Sequence, residues 1–216
     1  MDNGKELLGK AGVLRFPTRH YESGSRHPRV QAAVDLYFTG NNYAKALSQF
    51  VKLIDDGFDE AYLFAAYIHE HGGLGAGQDL GKALFYYQKA AETFGAVEGY
   101  LGVARLCYFG QGVTQDYDRA FRCYSWVEHE IDNGIAFHML GRMYQHGQGV
   151  RRDMSKARDY YRRAIDKGYV MGLVSLGQLE QESGKFVKGW YLRVKAGVLA
   201  FRMALRDRQD PRLRGW

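Results

Sequence analysis

The sequence predicts an all-α fold, an α-solenoid of antiparallel helix pairs with about four to five pairs including caps. Three observations carry that reading. Letters recur at a fixed interval: Asp79, Asp116 and Asp153 are 37 residues apart, as are Ala83, Ala120 and Ala157, and Tyr87, Tyr124 and Tyr161. Each interval holds two segments with apolar residues at helical spacing, and a glycine loop joins them. The chain has 27 glycines but only 3 prolines, and the loops account for the excess. A period of this size with two helices per unit marks an α-solenoid. With 46% apolar and 25% charged side chains, 216 residues can bury a continuous core and lie outside the disordered range.

In chain order, residues 1–28 read as an N-terminal leader. Lys5, Glu6, Lys10 and Arg15 interrupt any signal-peptide core. No apolar run approaches the roughly 18 residues of a membrane span, so the expected location is cytoplasmic. Residues 29–59 form an N-terminal capping pair, in which Tyr43, Ala44, Lys45, Ala46 and Leu47 resemble the second helix of a tetratricopeptide unit. Three repeats fill 60–168, a degenerate C-terminal repeat and closing helix fill 169–206, and 207–216 is a basic tail.

The letters of the third repeat explain one unit. Ala136, Met139, Leu140 and Met143 recur at the spacing of an apolar helical stripe. Gly147 then sits where a helix stops in a left-handed residue, which glycine adopts at little cost. Gly149 tightens the turn, and Asp153 is placed to accept free backbone N–H groups as the N-cap of the next helix. Ala157, Tyr160, Tyr161 and Ala164 give that helix its buried face. Gly110, Gly112 and Asp116 repeat the arrangement one unit earlier. A phosphate-binding glycine loop follows a strand and leaves a helix N-terminus open to an anion. Here a helix precedes the glycines, a carboxylate occupies the N-terminus, and the loop recurs three times, so its job is structural.

"LGRMYQHGQGVRRDMSKARDYYRRA", Leu140 to Ala164, closely resembles the Sel1-like repeat, a relative of the tetratricopeptide repeat. The second unit matches with Cys107 and Cys123 at usual aromatic positions. The first keeps Asp79, Lys82, Ala83, Tyr86 and Tyr87 but lengthens its loop, and the last, from Leu176, lacks the G-x-G-V-x-x-D run. The resemblance implies a right-handed superhelix, mainly from bacteria, that serves as a scaffold or adaptor and binds a protein or peptide in its concave groove.

Other chemistry is thinly represented. Cys107 and Cys123 are expected as buried thiols rather than a bridge, metal pair or nucleophile. His69, Glu70 and His71 read as a solvated helix end, since neighbouring helix residues do not share a face. No catalytic residue, metal site or cofactor is assigned. First helices line the inner surface of such solenoids, so residues pointing away from the core should stack into ladders. One step beyond the small residue of each first helix come Tyr67, Arg105, Arg142 and Gln178, and four steps beyond it Glu70, Tyr108, Gln145 and Gln181. With His138, which shares a face with Arg142, these are the partner-binding candidates, Gln181 aside, because tyrosine and arginine dominate binding hot spots. Arginines on the groove suit an acidic segment on the partner.

Charge marks a second candidate. The net charge is +6, yet from Lys185 onward nine cations face two carboxylates, leaving the rest slightly acidic. Arg202, Arg206, Arg208, Arg212 and Arg214 form the basic end. The alternative function is therefore an anion or nucleic-acid binder working through the C-terminal helix and tail, although no nucleic-acid-binding module is visible and nucleic acid is the less expected partner.

Overall fold

The computed structural model describes residues 27–39, 42–73 and 75–206, and the leader through residue 26 and the tail 207–216 lie outside them. Among the described residues there are ten helices and no strand, apart from one isolated bridge between Gly73 and Ala76. They are α1 (Pro28–Thr39), α2 (Tyr43–Asp55), α3 (Ala61–His71), α4 (Leu80–Phe94), α5 (Val97–Phe109), α6 (Tyr117–Glu130), α7 (Gly134–His146), α8 (Met154–Asp166), α9 (Met171–Glu182) and α10 (Phe186–Arg206). The fold is an all-α solenoid of antiparallel helix pairs. It divides into two compact units: one ends at Leu106 and takes in Gln111–Thr114, and the other comprises Cys107–Gly110 and the chain from Gln115.

In the first unit, Val30, Val34, Phe50, Phe64 and Ile68 make a core closed to water, with Phe50 and Phe64 stacked at 4.7 Å. In the second, Ala136, Met139, Leu140 and Met143 of α7 and Ala157, Tyr161 and Ala164 of α8 are buried, as the spacing leads one to expect, with Phe137 added to them. Tyr160, expected on the buried face, is half-buried because its hydroxyl reaches out to donate to Glu128 at 2.8 Å. Leu176 and Leu179 of α9 extend that core. Each buried side chain of this size stabilises by roughly 1.5–3 kcal/mol relative to exposure.

The loops follow one plan. The Asp79, Asp116 and Asp153 carboxylates accept the Lys82, Arg119 and Lys156 N–H groups at 2.9, 2.8 and 3.0 Å, capping α4, α6 and α8. Their own N–H groups donate to the carbonyls of His69, Cys107 and Tyr144 at 2.7, 2.9 and 2.9 Å, which closes each loop on the helix before it. The side chain just ahead of each aspartate adds a second tie: Gln78 donates to the Glu70 carbonyl at 2.7 Å, Gln115 to that of Tyr108 at 2.8 Å, and Arg152 to that of Gln145 at 3.0 Å. These ties satisfy carbonyls that a helix C-terminus leaves without partners.

Gly147 ends α7 at φ 70°, the left-handed stop expected of it. Gly149 is left-handed too, at φ 65°, and has a second reason to be glycine. A Cβ there would lie 2.3 Å from the Tyr117 carbonyl oxygen, so the loop rests directly on the start of α6.

Candidate functional site

The two ladders read from the sequence have different fates. At the first position Tyr67, Arg105 and Arg142 are half-buried and Gln178 is exposed. At the second, Glu70, Tyr108 and Gln145 are buried, at 6%, 3% and 4% exposure, so the expectation that they point away from the core is corrected. The reason is the tyrosine of the second helix. Tyr87 donates to the Glu70 carboxylate at 2.7 Å, and Tyr161 donates to the Gln145 side-chain carbonyl at 2.6 Å, both from full burial. A buried hydroxyl without a partner costs a few kcal/mol, and the polar residue four steps past the small one supplies that partner. Burial first, then the neighbouring Glu70 charge, pushes the Tyr87 phenol well above its ordinary value, so it stays a neutral donor.

Within the first unit, Glu70 also pairs with Arg105. That guanidinium is committed inside the fold. The same burial overturns the solvated reading of the "HEH" stretch: His69 is 8% exposed, and only His71 faces water. His69 stacks on Tyr86 at 5.5 Å, burial lowers its pKa, and the Lys82 cation acts in the same direction. It lines an open cavity of about 500 Å³ together with Ser48, Gln78, Asp79 and Lys82, beside the lengthened first loop. Asp79 already caps α4 there, and nothing in that cavity is arranged as a nucleophile with its base.

In the second unit, the equivalent arginine, Arg142, meets Tyr108, the residue of the preceding first helix that corresponds to Glu70. Its guanidinium lies over the Tyr108 ring at 5.6 Å, and among the described residues no carboxylate pairs with it. Tyr108 itself donates to Gln148 at 2.7 Å. Gln178 donates to Glu182, which also accepts from Gln145 at 2.9 Å, so a polar strip runs beside Arg142 over the first helices α7 and α9. His138 is 5% exposed and is therefore not part of this strip. Its Nε2 meets the Ser175 hydroxyl at 2.8 Å, and burial, with the Arg142 cation second, pushes its pKa down to about 4.

Sequence reasoning missed Glu180 altogether. It is fully buried, with Arg158 of α8 at 3.1 Å, Lys188 of α10 at 3.0 Å and Lys185 at 3.7 Å. Burial works to raise its pKa, but the bonds from Lys188 and Arg158 outweigh that and hold it below the usual carboxylate range. The cations come from helices on either side in sequence, and no local spacing signals them.

The cysteines are thiols, Cys107 buried and Cys123 half-buried. Burial pushes Cys123 up to about 11, which leaves it far from a reactive thiolate at neutral pH. Among the described residues no cluster of histidine, cysteine or carboxylate side chains could hold a metal ion, and no helix is long and apolar enough to cross a membrane. Of the basic end, Arg202 is exposed on α10, whereas the Arg206 side chain and Arg208, Arg212 and Arg214 lie outside the described residues.

Family comparison reaches the same repeats. The Sel1 repeat matches residues 59–92, 97–125 and 136–169. The chain carries three Sel1 repeats. Among solved structures, it is similar to c5321, a protective antigen present in uropathogenic Escherichia coli strains displaying an SLR fold, at 22% identity over 82% of this chain and a TM-score of 0.67. The chain spans 40% of the length of c5321. A Sel1 repeat protein from Oxalobacter formigenes is similar at 22% identity and TM-score 0.67, covering 78% of this chain and 69% of that one. MamA follows at 15% identity and TM-score 0.60, covering 80% and 96%. At these identities the likenesses establish the fold. Sel1 repeats are in general a non-enzymatic, protein-interaction architecture, which suggests protein partners.

Proposed function

We propose that the chain is a protein-interaction scaffold that takes an acidic segment of a partner on the polar strip around Arg142. The observation that carries this reading is the contrast between two equivalent arginines. Arg105 is matched by buried Glu70 of the preceding first helix, while Arg142 meets neutral Tyr108 at the equivalent position. A half-buried guanidinium on an aromatic face, without an internal acid, is suited to pair bidentately with a carboxylate brought by another molecule. Gln178 adds a directed polar group on the next first helix. Glu182 at the strip's edge restricts where the partner's acids can sit.

Capture from a lysate with mass spectrometry, comparing wild type with Arg142→Glu, tests the proposal. Charge reversal should remove a defined set of bound proteins enriched in acidic segments. An identical set on both baits contradicts it. Nucleic acid held equally by both baits and lost on truncation after Arg206 would favour the alternative, a basic C-terminal anion binder.

A further inference from the structure

Helix α10 carries apolar residues on two opposite faces. Leu192, Ala196, Leu199, Ala200 and Met203 pack inward. At about 3.6 residues per turn, Val187, Tyr191, Val194, Val198, Phe201 and Leu205, spaced alternately four and three residues apart, fall on the far side. All six are open to solvent, from 43% at Val194 to 84% at Val187, and Phe186 and Trp190 widen the strip at 69% and 63%. A helix apolar on both sides is a helix with something still to bury.

Charge says what covers it. From Ser183 to Arg206 there is no acidic residue, whereas Lys188, Arg193, Lys195 and Arg202 flank the strip. Lys188 is held by Glu180, but Lys195 and Arg202 are exposed at its border and Arg193 stands on the other side. A second copy of the chain fits poorly. Antiparallel pairing on this strip would set Lys188 against Arg202 and Lys195 against its own copy, like charges in contact. A coiled-coil partner would use the alternating positions alone, yet the apolar surface spreads further, through Trp190 and Phe186. A broad apolar face with indole and phenyl groups, bordered by cations and lying directly opposite the protein body, is the pattern of a helix that lies in a membrane interface.

We infer that the outer face of α10 binds the surface of a bilayer bearing anionic headgroups, its apolar strip entering the interface and Lys195 and Arg202 meeting the lipid charges. The solenoid would then stand on the membrane without spanning it.

The test is sedimentation of the full chain with vesicles of phosphatidylcholine alone and of phosphatidylcholine with 30 mol% phosphatidylglycerol. Wild type should partition at least tenfold better onto the anionic vesicles. Trp190→Ser with Phe201→Ser, which leaves every charge in place, should lower that partitioning at least tenfold, and so should Lys195→Glu with Arg202→Glu. If the serine pair loses helical circular dichroism, Val187→Ser with Leu205→Ser, at the most exposed positions, takes its place. No sedimentation, or full binding by a folded serine pair, overturns the inference, the latter because attraction by the basic tail alone would explain it. Failure to sediment combined with tight binding to an acidic amphipathic peptide assigns the face to a partner helix, and a wild-type dimer that the serine pair dissociates assigns it to a second copy.

Discussion

Arg105 and Arg142 occupy one repeat position in different surroundings, one on a buried acid and one on an aromatic ring. Removing the Arg105 side chain leaves Glu70 buried without its cation, and breaking such a pair costs about 3–5 kcal/mol. Arg105→Ala should therefore shift the denaturant midpoint strongly, whereas Arg142→Ala, which strands no buried acid, should cost about 1 kcal/mol or less. Equal effects would mean that the two sites are not divided in this way. Gly149 offers a second residue-scale check. Gly149→Ala drives a Cβ into the Tyr117 carbonyl, so the backbone must move, and a loss of roughly 1–3 kcal/mol in equilibrium unfolding is expected. The left-handed φ of 65° adds to that loss, so a loss no larger than that of Gly184→Ala, at φ 79° with open space around it, would show that the loop does not rest on α6 as described.

At the scale of the element, α7 couples the fold to pH through His138. Its folded pKa of about 4 lies below the ordinary 6.5, so between these values the unfolded chain holds a proton that the folded chain does not. Stability on this account rises with pH through that window and is lost as pH falls from about 6.5 to 4. The full effect is on the order of 3 kcal/mol. Replacing His138 with leucine should flatten this part of a midpoint-against-pH curve, and an unaltered slope would place the proton elsewhere. The helix pairs and loops were legible in the sequence because their causes are local: Gly147 is a left-handed stop, Asp153 a cap, and the alanines and tyrosines a buried face. The second ladder was misread because helical phase puts Glu70, Tyr108 and Gln145 at the edge of the core. What draws in Glu70 and Gln145 is a tyrosine 17 or 16 residues later, at Tyr87 and Tyr161, and Tyr108 is held by Gln148 of the next loop, so that reach is tertiary. Glu180 was invisible for the same reason, its cations arriving from α8 and α10.

For the whole molecule, the repeat supplies architecture, and on the proposed reading the departures from it supply function. Where the repeat position four past the small residue is acidic, as at Glu70, the arginine is used internally. Where it is tyrosine, as at Tyr108, the arginine lies on an aromatic ring and, on the proposed reading, is left for another molecule. The most direct measurement of this claim is the affinity of a captured partner for the Arg142→Glu chain, by calorimetric titration, with the unfolding midpoint followed in parallel. The account predicts that affinity falls at least tenfold, about 1.4 kcal/mol, while the midpoint changes little. Undiminished affinity in a folded Arg142→Glu chain would contradict it.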